Sequence, residues 1–132
     1  MKTTHTKTIW TLLFYLWIIA ILVLTSVSFG DGARKQNDGG LRLDYLQHFI
    51  VYSGVPVLFF LSRGAGLNRI FRSSYYLLLL GILFCILTEV QQYYIPGRSF
   101  NPIDLGLNLA GFFTGLFAGR YISKTLYRND EK

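Results

Sequence analysis

The chain has 132 residues, of which 52% are hydrophobic and 15% are charged, and its formal net charge is +6. A soluble domain carries about 25% charged residues, which a small chain needs to cover its large surface. The shortage of charge and the long apolar blocks argue against a soluble domain and indicate an integral membrane protein. The basic residues fall between these blocks rather than on one aromatic-rich face, so nucleic acid is not an expected partner.

Four apolar segments are candidates for transmembrane helices, each of which needs about 20 mainly apolar residues. In chain order they are residues 9–29, 45–61, 75–95 and 103–122. The second is the shortest and contains Pro56, which a membrane helix tolerates when neighbouring groups bind the freed carbonyl. The first is longer than a signal-peptide core, so we expect it to be retained. We predict an all-α fold, with residues 1–132 forming a single domain of four transmembrane helices.

The distribution of Lys and Arg predicts the orientation of this bundle. The N-terminal tail, the second loop and the C-terminal end carry nine basic residues, namely Lys2, Lys7, Arg63, Arg69, Arg72, Arg120, Lys124, Arg128 and Lys132. The first and third loops carry four, namely Arg34, Lys35, Arg42 and Arg98. Because the side richer in Lys and Arg is cytoplasmic, both termini are predicted inside (N-in/C-in). Residues 31–44 and 96–102 then face outward.

Polar side chains recur at the outer ends of the last three predicted spans. Each span carries a pair three or four residues apart, which places both members on one helix face. Charged groups that face lipid are costly, so we expect the pairs to face one another. The sequence therefore predicts an outward-facing polar site formed by Asp44, His48, Glu89, Gln92, Arg98, Asp104 and Asn108.

Several of these residues also have a purely structural explanation. Asn101, Pro102 and Asp104 fit a helix start, as N-cap, first helical residue and acidic third residue of a capping box. Asp44 fits the N-cap of the second span. Pro96 and Gly97 predict a turn, from which Arg98 would extend to lipid headgroups.

The remaining polar residues lie deeper. Glu89 is about 8–9 Å below Ile95 at 1.5 Å per residue, too deep for a cap, so we predict a partnered or functional role for it. His48 fits either ligand contact or an interhelical hydrogen bond, and Asn108 fits an interhelical hydrogen bond. Below Asn108, a stripe of three glycines predicts close approach of another helix; its members are Gly111, Gly115 and Gly119.

The polar positions occur in an ordered pattern. It runs D-x-x-x-H-F-x-x-Y from Asp44, then E-V-x-Q from Glu89, then P-G-R-S-F-x-x-x-D-x-x-x-N-x-x-G from Pro96 to Gly111. This ordered set resembles the VanZ-like family of bacterial membrane proteins, with the resemblance covering residues 44–115. The resemblance implies a bacterial cytoplasmic membrane protein with a polar site at the outer face. It implies a link to teicoplanin-type glycopeptide resistance more weakly, and it implies no particular reaction.

Three functions are compatible with the sequence. In the first, the protein is an accessory factor whose site binds a lipid-linked envelope precursor or an amphiphilic antibiotic. In the second, it is a small intramembrane enzyme. His48 and Glu89 would form an acid–base pair and Arg98 would stabilise an anion. Alternatively, Asp44, His48, Glu89 and Asp104 would bind a divalent cation. In the third, it is a structural partner of a larger membrane complex or an oligomer. No nucleophile or phosphate-loop motif occurs, which favours a non-enzymatic role, and no cofactor or metal is assigned.

Overall fold

The computed structural model describes residues 2–27, 43–63 and 67–128, with side chains for residues 5–27, 45–63 and 75–128. These residues form four helices and, within those ranges, no strand; the helices are α1 (Lys2–Ser26), α2 (Leu43–Arg63), α3 (Leu67–Tyr93) and α4 (Pro102–Tyr127). The all-α prediction is confirmed, and each predicted span overlaps one helix. The end of span 9–29, the loop up to residue 42 and the side chains of Asp44, Arg69 and Arg72 lie outside the described residues.

Three of the helices are long and apolar enough to cross a membrane, namely His5–Ser26, Tyr45–Arg63 and Tyr75–Tyr93. Their outward surfaces are strongly apolar: Leu16 of α1 is 61% exposed and Leu79 of α3 is 67% exposed. Such surfaces suit contact with lipid rather than water. α4 is 26 residues long, but Asp104, Asn108 and Arg120 lower its mean hydropathy.

The centre of the bundle is the packing of α4 against α2. Gly111, Gly115 and Gly119 of α4 are buried against the α2 backbone. A Cβ at Gly111 would collide with the Phe49 carbonyl, and one at Gly115 with the Ser53 carbonyl. The glycine stripe therefore allows the close approach of another helix that the sequence predicted. This approach brings the polar faces of α2 and α4 close together.

α1 and α3 pack on the outside of this pair. Trp17 of α1 donates its indole N–H to the Val51 carbonyl of α2 at 2.9 Å. On α3, Gly81 accommodates the Phe112 ring of α4, and Cys85 is fully buried with a free thiol. Cys85 thus packs as a small buried apolar residue.

Contacts between the helix termini show which of them lie at the same end of the bundle. At one end, the Tyr127 hydroxyl of α4 donates to the Leu61 carbonyl of α2 at 2.9 Å, and the Lys7 ammonium of α1 lies 5.6 Å from the centre of the Tyr127 ring. The start of α1 and the ends of α2 and α4 therefore lie together. The connection between α3 and α4 lies at the opposite end, where the predicted polar residues are also found.

Candidate functional site

The connection between α3 and α4 is a tight turn followed by a capped helix start. The Arg98 N–H donates to the Ile95 carbonyl at 3.0 Å, and Gly97 has a φ of 81°. Only glycine adopts this conformation readily, and proline suits the residue before it. The turn predicted from the sequence is therefore confirmed, and it holds the end of α3 against the beginning of α4.

Asn101 is the N-cap of α4, as predicted. Its backbone is extended, with φ −124° and ψ 110°, and its Oδ1 accepts from the Ile103 N–H at 3.0 Å. In a capping box, the acidic residue three positions later would accept from the N-cap backbone N–H. Asp104 does not do this, because its Oδ2 accepts from the Asn101 side-chain amide instead, at 2.9 Å.

Glu89 takes the place that the capping box would give to Asp104. Its side chain is fully buried in α3, and its Oε1 accepts from the Asn101 backbone N–H at 2.9 Å. The carboxylate thus satisfies one of the amide groups that α4 leaves unbonded at its start. Glu89 therefore has a partner on the neighbouring helix, as its depth predicted. Because Asp104 does not bond to the Asn101 backbone, its carboxylate can interact with α2.

His48 of α2 lies between two side chains of α4. Its Nδ1 is 2.9 Å from Asn108 Oδ1, and its Nε2 is 4.0 Å from Asp104 Oδ2. Asn108 is fully buried, while the side chains of His48 and Asp104 are 14% and 10% exposed. His48 therefore makes an interhelical hydrogen bond, which is one of the two roles predicted for it. It also lies where the buried network approaches the surface.

The structure places six of the seven predicted residues at the same end of the bundle. His48, Arg98 and Asp104 all lie close enough to Glu89 to interact with its charge. Gln92 lies one turn beyond Glu89 on α3 and is 5% exposed. Arg98 is half-buried in the turn. The side chain of Asp44, the seventh residue, lies outside the described residues.

Three atoms of this network have no hydrogen-bond partner among the described residues: Glu89 Oε2, Gln92 Nε2 and Asn108 Nδ2. A buried polar atom that loses its hydrogen bond costs roughly 1–3 kcal/mol. Three such atoms are therefore expensive for the fold, and each calls for an explanation such as a bound water, an ion or a ligand.

A second interhelical contact lies directly beside Glu89. The Thr88 hydroxyl is 2.9 Å from the Phe84 carbonyl and 2.5 Å from the Tyr52 hydroxyl of α2, and both side chains are buried. Because Thr88 donates within its own helix, the Tyr52 hydroxyl donates to Thr88. Sequence reasoning missed Thr88, although a hydroxyl next to a deep glutamate was a usable signal.

Metal binding was one form of the enzyme hypothesis. Among the described side chains, no group of three His, Cys, Asp or Glu residues is placed to hold a metal ion. Asp44, which the hypothesis included, lies outside that set. His48 and Glu89, the proposed acid–base pair, each bond to a different residue of α4 or its N-cap rather than to each other.

No family model, curated protein or solved structure matches the chain. The resemblance to the VanZ-like family therefore rests on the ordered residues of the sequence.

Proposed function

We propose that this protein is a VanZ-like, four-span membrane protein of the bacterial cytoplasmic membrane, with both termini inside. Its site of Glu89, Gln92, Asn108, His48, Asp104 and Arg98 binds a component of the cell envelope from the outer side. The ligand is a lipid-linked precursor or an amphiphilic antibiotic, and the protein acts as an accessory factor in envelope function or glycopeptide tolerance.

The observation that carries the proposal is the state of Glu89. One carboxylate oxygen is bound by the Asn101 N–H, and the other is buried with no partner among the described residues. A glutamate that served only to cap α4 would need one oxygen and no burial of the second. A buried polar side chain within a membrane bundle is costly and is usually retained for function.

The distribution of charge supports the proposed orientation. Lys7, Arg63 and Arg120 belong to the end of the bundle where Tyr127 contacts α2, and each lies over an aromatic ring. The polar site lies at the other end, where Arg98 is the one basic residue of the turn. With the basic end in the cytoplasm, the site faces the outer leaflet.

The test is to compare E89Q and R98A with wild type in a host whose teicoplanin susceptibility depends on the protein. E89Q keeps an oxygen for the Asn101 N–H, and R98A alters a half-buried turn residue, so both proteins should accumulate normally in the membrane. We expect both to lose the susceptibility phenotype. The matched control, R128A, removes an exposed arginine from the opposite end and should behave as wild type. Normal amounts of both variants with an unchanged phenotype would refute the binding site.

One observation favours a second candidate, a structural role within a larger complex. Polar residues in and beside the site connect α2, α3 and α4 through His48–Asn108, Glu89–Asn101 and Tyr52–Thr88. If the network served only to hold the bundle, E89Q and R98A would lose protein from the membrane in proportion to any loss of phenotype.

A further inference from the structure

The chemistry of the unpartnered atoms restricts what the site can bind. Gln92 Nε2 and Asn108 Nδ2 donate hydrogen bonds, whereas an ionised Glu89 Oε2 accepts them. The residues that carry these atoms are 95% or more buried, and among the described residues none of the three atoms has a partner. A ligand that satisfies all three presents acceptor oxygens to the two amides and an N–H or O–H group to the carboxylate.

A cation is the strongest donor for that position, because a charge-assisted hydrogen bond is stronger than a neutral one. His48 lies beside Asp104 and hydrogen-bonds to Asn108, so it is occupied within the network. Since Glu89 Oε2 lacks a donor among the described residues, an ammonium group from the ligand would fill its acceptor position with such a hydrogen bond.

Arg98 favours an anion on the same ligand. Arg98 is half-buried in the turn and interacts electrostatically with Glu89 without a hydrogen bond between them. A guanidinium binds phosphate or carboxylate oxygens with paired N–H groups, and the amides of Gln92 and Asn108 add further donors for such oxygens. The site therefore combines an acceptor for a cation, at Glu89, with donors for an anion, at Arg98, Gln92 and Asn108.

We propose that the ligand is zwitterionic, with a primary ammonium group that binds Glu89 and a phosphate that binds Arg98, Gln92 and Asn108. A phosphoethanolamine group has this chemistry, either as a lipid headgroup or as a free molecule. The inference rests on the proposed function, because it specifies the ligand class of the same site.

Binding of defined lipids tests this. The purified protein in detergent is incubated with equal amounts of phosphatidylethanolamine, phosphatidylglycerol and phosphatidylcholine of the same acyl chains, and the retained lipid is measured by native mass spectrometry. The choline headgroup has no N–H, and the glycerol headgroup has no cation. We expect phosphatidylethanolamine to be retained about tenfold more than either, as a charge-assisted hydrogen bond predicts. E89Q should abolish this preference, R98A should weaken retention, and R128A should match wild type.

The outcomes separate the ligand class from the site itself. Equal retention of the three lipids, reduced alike by R98A, would overturn the ammonium assignment and leave the binding site standing. Retention unaffected by R98A and E89Q, or none at all, would overturn both. Competition by O-phosphoethanolamine then identifies the source: displacement supports a soluble ligand of this chemistry, and phosphatidylethanolamine preference without displacement supports the lipid.

Discussion

The two carboxylate oxygens of Glu89 differ in what the fold gives them. Its Oε1 bonds to the Asn101 N–H, a group that the start of a helix otherwise leaves unbonded. Its Oε2 is buried and has no partner among the described residues. A residue that costs stability while it holds a binding geometry is expected at functional sites, where stability and activity are in conflict.

Because Oε1 is hydrogen-bonded and Oε2 is not, two substitutions of Glu89 should have different effects on stability. E89Q keeps an oxygen for Asn101 and removes a buried carboxylate, so we expect its thermal stability to equal or exceed that of wild type. E89A leaves the Asn101 N–H unsatisfied and should lower the free energy of unfolding by about 1–3 kcal/mol relative to E89Q. Thermal unfolding in detergent, followed by circular dichroism, measures both. Equal destabilisation by the two variants would contradict the role given to Oε1.

Individual residues also show how far the sequence predicts the site. The depth of Glu89 predicted a buried polar partner. The spacing of His48 from Asp44 and of Asn108 from Asp104 predicted polar faces on their two helices, because helical periodicity fixes which side chains share a face. The same reasoning could not find that Glu89, rather than Asp104, completes the cap of α4. That exchange depends on the tight turn, which brings the end of α3 against Asn101, and helix-to-helix geometry of this kind is not encoded in local spacing.

At the scale of elements, α2 and α4 form the unit on which the site depends. Gly115 lies against the Ser53 carbonyl, and Ser123 and Tyr127 of α4 donate to the Phe60 and Leu61 carbonyls of α2 at 3.1 and 2.9 Å. Hydrogen bonds at one end and glycine contacts along the middle fix the two helices in register. That register places His48 opposite Asn108 at the other end.

Two glycines of α4 provide a matched test of this packing. A Cβ at Gly115 would meet the Ser53 backbone, so G115A should force the helices apart and destabilise the protein by about 1–3 kcal/mol. Gly106 has no atom within 4 Å of the corresponding position, so G106A should be neutral or stabilise by about 0.5–1 kcal/mol. Denaturant unfolding in detergent measures the difference. Similar effects of both substitutions would show that the glycine contacts do not hold the bundle.

The limits of the predicted spans differ from the helices for identifiable reasons. α3 ends at Tyr93 rather than at residue 95, because the Tyr94 and Ile95 N–H groups bond three residues back in a tightening last turn. α4 continues beyond residue 122 to Tyr127, since Ser123 and Tyr127 still contact α2. Hydropathy predicts the apolar part of a helix, whereas capping and interhelical contacts decide where the helix ends.

At the scale of the whole molecule, the number of spans depends on α4. α1, α2 and α3 are apolar enough to cross a membrane by composition alone. α4 carries buried Asp104, Asn108 and Ser123 on the side that faces the bundle, while Phe117 and Ile122 are exposed. These three polar groups are therefore covered by protein, and a helix of this kind can cross a bilayer despite a lower mean hydropathy.

Cysteine labelling distinguishes four spans from three. S99C places a thiol in the exposed connection before α4, and K124C places one near the end of α4. With four spans and the termini inside, a membrane-impermeant maleimide on intact cells should label S99C and not K124C, and permeabilised cells should show both labelled. Labelling of both in intact cells would mean that α4 does not cross, and labelling of K124C alone would invert the orientation. Buried Cys85 supplies the background control, since the wild-type protein should remain unlabelled.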